Sequence, residues 1–203
     1  MISWASLLCI LATVALMVVA MRFEGRIWWC ECGEPDLWKS SVWTSHCSQH
    51  LLDPYSASHF SHGLLFWCLF AWMTTGAVGR VTGLASRFPV RWRLVAAVLL
   101  AAAWEVAENS PWVIERYRTA TMSLDYLGDS VINAVGDVLC CIAGFFTARA
   151  IGVRWTLLLF MAIELVMLAT IRDNLTLNVI MLVWPIEAIK QWQTQGHEVA
   201  WAR

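Results

Sequence analysis

The stretch WRLVAAVLLAAAWEVAENSP, residues 92–111, decides how this chain is read. Residues 92–109 form an apolar run long enough to cross a bilayer as a helix, which takes about 17 to 25 residues. At its end Glu105, Glu108 and Asn109 are three and four positions apart, so two carboxylates and an amide share one helix face. Ser110-Pro111 then opens a second helix, because a serine cap followed by proline in the first turn is a helix-start signal. The span therefore ends at its carboxylates, and a short surface helix carrying Arg116 and Arg118 follows.

Outward from this stretch, further apolar runs of similar length occupy residues 2–21, 60–78, 132–151 and 155–171, with a shorter one at 175–186. Apolar residues make up 59% of the 203-residue chain and charged residues 14%, with mean hydropathy +0.60, which excludes an ordinary soluble protein. The expected fold class is all-α, a polytopic transmembrane helical bundle of five spans plus a short sixth or re-entrant segment. One membrane domain covers residues 1–203, and the polar stretch 22–58 forms an outer loop or cap within it. The first run lacks a basic leader and a small-x-small cleavage site, so it reads as a retained anchor and not as a signal peptide.

Arginine placement orients the bundle. Arg80, Arg87, Arg91 and Arg93 join the second and third runs, Arg149 and Arg154 join the fourth and fifth, and neither link contains an acid. Both links are expected in the cytoplasm, with the N-terminus inside. Arg22 and Arg26 argue the other way, softened by Glu24 and Glu31. A net charge of −1 gives no reason to expect a nucleic-acid partner.

On that topology the acids beside apolar runs collect at the outer face. Asp125, Asp129, Asn133 and Asp137 recur every four residues into the fourth run, His59 and His62 enter the second, and Arg172-Asp173-Asn174 follows the fifth. Ionisable groups in hydrocarbon cost on the order of 2.5 to 3.5 kcal/mol each, so a cluster at one depth needs a common reason. Glu105, Glu108, Asp125 and Asp129 are candidate acid–base groups. His59, His62, Glu108 and Asp129 are candidate ligands for a divalent transition metal, since imidazoles and carboxylates are its usual donors. Arg116, Arg118 and Arg172, with Asn109, Asn133, Asp173 and Asn174, are candidate binding groups for an anionic lipid headgroup or envelope precursor. A buried carboxylate held protonated would serve instead as an acid or proton relay. The same residues also fit a purely structural polar network between helices, with Glu164 and Asp137 ambiguous.

The cap offers Cys30-Glu31-Cys32-Gly33 and His46-Cys47-Ser48-Gln49-His50. Thiolates and imidazoles bind zinc or copper(I), but three cysteines and two histidines exceed a tetrahedral shell. An oxidising outer compartment equally suits a disulfide such as Cys32 to Cys47, and a reactive thiol is the third reading. Cys9, Cys68, Cys140 and Cys141 lie in apolar runs and behave as small hydrophobes. No Gly-rich phosphate loop, Gly-x-Ser-x-Gly elbow or His-Glu-x-x-His signature is present. Two functions follow. One is a metal-assisted membrane enzyme acting on a lipid or envelope precursor. The other is a non-enzymatic membrane protein, either a transporter component or an assembly partner.

Several motifs closely resemble the alphaproteobacterial membrane family called UPF0314 or DUF2585. They are Cys30-Glu31-Cys32-Gly33, Ser48-Gln49-His50, Ser58-His59 with His62-Gly63, Trp104-Glu105 through Pro111, Arg116-Tyr117-Arg118, Asp125-Tyr126 through Ser130, and Arg172 through Asn178. The resemblance implies a multi-pass protein of the bacterial inner membrane and brings no activity with it. Thr44-Ser45-His46-Cys47 departs from the Ser-Glu-Asn-like run expected there. A looser similarity reaches VanZ-like membrane proteins, through the order His62, Glu105, Arg118, Asp129, Asn133 and Gly136.

Overall fold

A computed structural model describes residues 3–75, 88–123 and 125–195. The described chain is helical from its first turn, where Ser3 and Ser6 exchange side-chain and backbone hydrogen bonds in a capping box. Seven helices follow among the described residues: α1 Trp4–Phe23, α2 Ser56–Thr75, α3 Val90–Glu108, α4 Pro111–Ala120, α5 Val131–Ile171, α6 Leu175–Val183 and α7 Glu187–Thr194. Strand pairing among them is confined to one isolated bridge, between Trp38 and Leu52. The end of the expected second run, with Arg80 and Arg87, lies outside the described residues.

The decisive stretch folds as its residues dictate. α3 ends at Glu108, Ser110 caps α4 by accepting from the Val113 N–H, and Pro111 occupies the first turn. α2 starts earlier than the apolar run does. Asp53 accepts from the Tyr55 N–H at 2.7 Å and so fixes the turn into the helix before its apolar part begins.

The expected fourth and fifth runs are joined in one element, α5, broken at Gly152, whose φ of 79° and ψ of 164° are non-helical. A straight helix of 41 residues would extend about 60 Å. Yet Ser56 and Ser58, two residues apart at the start of α2, bond respectively to Asp137 near the beginning of α5 and Met167 near its end. Both ends of α5 therefore lie at the same end of the bundle, and the chain reverses at Gly152. Glycine suits this position because side chains rarely tolerate that backbone geometry.

α1 and α5 are long and apolar enough to cross a membrane. α2 and α3 match α1 in length, at 20 and 19 residues, but serines and histidines in α2 and arginines and glutamates in α3 lower their hydropathy. α6 has nine residues, about 14 Å, which is less than half a hydrocarbon core. The expected 175–186 segment is thus too short to cross as a helix. It breaks at Trp184-Pro185, and the separate amphipathic α7 follows.

α2 packs most extensively on α5, and α1 on α3. A Cβ at Gly63 would fall on the Cys141 carbonyl, and one at Gly144 on the Phe60 carbonyl, so the absence of side chains lets the two backbones touch. Leu64, Val98, Ala134, Val138 and Phe145 fill the core beneath this contact. Leu8, Leu11 and Leu16 of α1 and Leu157, Leu158, Leu165 and Val166 of α5 face outward.

Candidate functional site

At the end where both termini of α5 meet, His59 sits in the first turn of α2 and points at the last turn of α3. Its Nδ1 lies 3.1 Å from Glu105 Oε1, and its Nε2 lies 3.8 Å from Asp137 Oδ2 on α5. Ligand atoms of His59, Glu105 and Glu108 all lie within 4.8 Å of one another, and all three residues are buried. The 3.1 Å approach is an ion-pair contact without hydrogen-bond alignment. Both oxygens of Glu105 and Oε2 of Glu108 lack a hydrogen-bond partner. Buried carboxylate oxygens without donors are rare and call for a cation, a water or a proton.

Glu105 lies behind His59, Glu108 and Asp137, which open on a cavity of about 290 Å³. Its wall is mixed, with Trp43, Trp104, Met122 and Leu175 beside Tyr55, Ser58, Tyr117 and Asn178. His62 lines it as well, with its ring perpendicular to that of His59 at 5.5 Å, stacked on Phe66 and edge-on to Trp104. It packs beside the three-residue cluster and is not one of its members.

The other expected site residues lie outside the three-residue cluster. Asp129 also lines the cavity, but each of its carboxylate oxygens is partnered: Asn109 Nδ2 donates to Oδ2 at 2.7 Å and the Tyr126 hydroxyl donates to Oδ1 at 2.9 Å, while the Asp129 N–H donates to Asn109 Oδ1 at 2.6 Å. Burial raises its pKa above the usual carboxylate range, and the Asn109 and Tyr126 bonds oppose that rise. Asp125 is exposed at the cavity edge. Asn133 Nδ2 donates to the His50 carbonyl at 2.8 Å and so holds the cap.

The three arginines bind backbone carbonyls. Arg116 donates to Leu182, Arg118 to Tyr126, and Arg172 to Trp192 and Gln195. None is among the residues lining the cavity. Asn174 caps α6 by accepting from the Leu177 N–H at 2.8 Å, while Glu164 accepts from the Leu175 and Thr176 N–H groups at 3.1 and 3.0 Å. Carboxylates favour such helix N-termini, and this gives the ambiguous Glu164 a structural task. Asp173 accepts from the Tyr55 hydroxyl at 3.1 Å, from Gln193 Nε2 at 3.1 Å and from the Asn174 N–H at 2.9 Å, yet burial still pushes its pKa up to about 6.

Sequence reasoning missed Asp53, which accepts from the Ser48 N–H at 2.8 Å and is also raised by burial. It missed the three tyrosines as well. Tyr55, Tyr117 and Tyr126 are buried hydroxyls whose pKa values burial pushes upward. Asp53-Pro54 ahead of a periodic apolar run is a helix-start signal that pointed to the first of these; nothing local marks the tyrosines.

This arrangement defines an all-helical protein with a buried histidine–carboxylate cluster at one end of its bundle. The chain belongs to the family described as "Protein of unknown function (DUF2585)", which matches residues 21–195. It is 44% identical over 191 residues to a UPF0314 protein of Sinorhizobium fredii, covering 94% of this chain and 91% of that one. It is similar at 44% over 187 residues to a UPF0314 protein of Rhizobium meliloti, covering 92% and 89% of the two chains. Identity is 40% over 190 residues to a UPF0314 protein of Paracoccus denitrificans, covering 94% and 91%. No solved structure matches the chain.

Proposed function

We propose that this is a multi-pass protein of the bacterial inner membrane that holds a divalent transition metal between His59, Glu105 and Glu108 and acts on a lipid or envelope precursor at the outer face. The carrying observation is the convergence of three buried ligand residues with unpartnered carboxylate oxygens, two of which, His59 and Glu108, line a cavity. Three protein ligands beside an open space are the pattern of a catalytic metal site, where the ion supplies Lewis acidity and acidifies a bound water. Asp137, facing the far nitrogen of His59, would orient the ring and keep its Nδ1 toward Glu105. Glu108, beside the Tyr117 hydroxyl, stands where a proton can be exchanged with a bound substrate.

Five crossings account for the exposed apolar faces: α1, α2, α3 and the two arms of α5, residues 131–151 and 153–171. Arg149 and Arg154 flank the reversal, and Arg91 and Arg93 begin α3, all at the end opposite the cluster, so the site end faces outward. The mixed apolar and polar lining suits an amphipathic ligand. With Arg116, Arg118 and Arg172 bound to carbonyls, its head would be recognised by the metal and the cavity hydroxyls, not by a guanidinium clamp.

Elemental analysis of full-length protein in detergent tests the reading. The His59→Gln and Glu108→Gln variants should each lose one equivalent of manganese, iron or zinc while eluting as the wild type does. Unchanged metal content in both, with intact folding, overturns it. A reporter fused at the C-terminus should signal an outer location, and a cytoplasmic signal would refute the five-crossing topology.

A further inference from the structure

The cap carries a second cluster, separate from the cavity ligands. Ligand atoms of Cys30, Cys32, His46 and His50 all lie within 4.8 Å of one another. Cys30 Sγ is 3.1 Å from His46 Nδ1, and Cys32 Sγ is 3.5 Å from His50 Nε2. With metal–sulfur bonds of about 2.3 Å and metal–nitrogen bonds of about 2.05 Å, a tetrahedral sulfur–nitrogen edge is about 3.6 Å, so the four donors are already spaced for one ion. We infer that Cys30, Cys32, His46 and His50 bind a structural zinc ion that fastens the cap to the bundle.

Three further observations carry this. First, His50 Nδ1 lies 2.6 Å from the Asp36 carbonyl. A carbonyl only accepts, so that nitrogen carries the proton and Nε2, the atom facing Cys32, is left with its lone pair. Metal-ligating histidines are oriented in this way by the bond at their other nitrogen.

Second, the structure answers the surplus of donors that the sequence presents. All three cap cysteines are free thiols, and Cys47 lies apart, its Sγ 3.9 Å from Asp53 Oδ2. Removing Cys47 leaves two sulfurs and two nitrogens, the tetrahedral set that selects zinc. The Cys32 to Cys47 disulfide is not formed.

Third, the cap needs a fastening. Between α1 and α2 it has one isolated bridge and no helix, and three of its large apolar side chains, Trp28, Leu37 and Trp38, are 59%, 60% and 51% exposed. Hydrogen bonds such as that from Asn133 tie one part of it to the bundle, and a loop with so little regular structure gains further from a metal cross-link. The four ligands come two from the segment leaving α1 and two from the segment approaching α2, so one ion would close the loop at its base. The cap also reaches the cavity rim: Gln49 Nε2 donates to the Gly128 carbonyl at 2.6 Å, next to Asp129.

The test uses full-length protein purified in detergent without chelator, then loaded with zinc or cobalt(II). X-ray absorption of the zinc form should show sulfur scatterers at about 2.3 Å, and the cobalt form should show thiolate-to-metal charge transfer with tetrahedral ligand-field bands. Cys32→Ser, at an exposed position, and His46→Gln should each lose the sulfur-ligated equivalent, while Cys47→Ser keeps it. His59→Gln also keeps it, because that cluster contains no sulfur; the two sites therefore fail or survive separately. The inference is overturned by wild-type protein whose bound metal shows no sulfur scattering. It is equally overturned by mass analysis finding Cys30, Cys32 or Cys47 in a disulfide, or by retention of the sulfur signal in Cys32→Ser.

Discussion

Replacing Asp173 by asparagine should stabilise the protein above neutral pH and remove part of its pH dependence. Asp173 is 2% exposed, and its carboxyl pKa is pushed up from 3.8 to about 6. The folded state therefore holds a proton that the unfolded chain has released between those two values. Stability from this group is fully present below the unfolded value and is lost as pH rises through the folded one. About two pKa units correspond to roughly 3 kcal/mol lost by the time the group is ionised. Asparagine mimics the protonated acid. Its oxygen still accepts from Asn174 and Gln193 at the Oδ1 position, and its amide can donate to the Tyr55 hydroxyl. Thermal unfolding in detergent, followed by tryptophan fluorescence from pH 4 to 8, should show the variant several degrees more stable than wild type at pH 8 and equal to it at pH 4. Asp53 and Asp129 titrate in both proteins, so the difference curve isolates Asp173. A variant less stable at pH 8, with the same slope as wild type, would refute the reasoning.

Other substitutions probe the frame around the site. Gly144→Leu drives a side chain into the Phe60 carbonyl and should cost at least about 2 kcal/mol, read as a lower unfolding temperature, whereas Leu139→Ala on the exposed face should cost little. Gly152→Ala forces an L side chain into φ 79° and should cost about 1 to 3 kcal/mol in the same assay. Asn109→Ala leaves Asp129 without the amide that both accepts from and donates to it; a loss of about 2 to 4 kcal/mol is expected, against none for Glu115→Ala on the exposed face of α4.

The helices were legible because apolar runs, Ser110-Pro111 and Gly/Pro breaks are local signals. Glu105 and Glu108 were legible as a pair because three-residue spacing is fixed by helix geometry. Partner choice was not. Asp129 and His59 looked equivalent as ligands, but Tyr126 and Asn109, the latter twenty positions away, each donate to one oxygen of the first, while both oxygens of Glu105 beside the second have no hydrogen-bond partner. Arg172 resembled a headgroup clamp, but its positive φ of 55° turns the chain so that its guanidinium meets carbonyls of α7, an element hidden behind Trp184-Pro185. Asp137 was ambiguous because its depth in α5 says nothing about which helix it faces. In the cap, five donors could be counted, but only tertiary placement separates Cys47 from the other four.

The reversal at Gly152 bears on how the protein is made. Because α5 folds back at one residue, its first and last turns, far apart in sequence, reach the same end of the bundle as one hairpin. Asp137 rides on the first arm of that hairpin, while His59 and the Glu105–Glu108 pair are synthesised earlier on α2 and α3. Until that hairpin packs, those ionisable groups lack the helix that encloses them. Enclosure of the cluster therefore waits on a helix that is synthesised after every one of its three members.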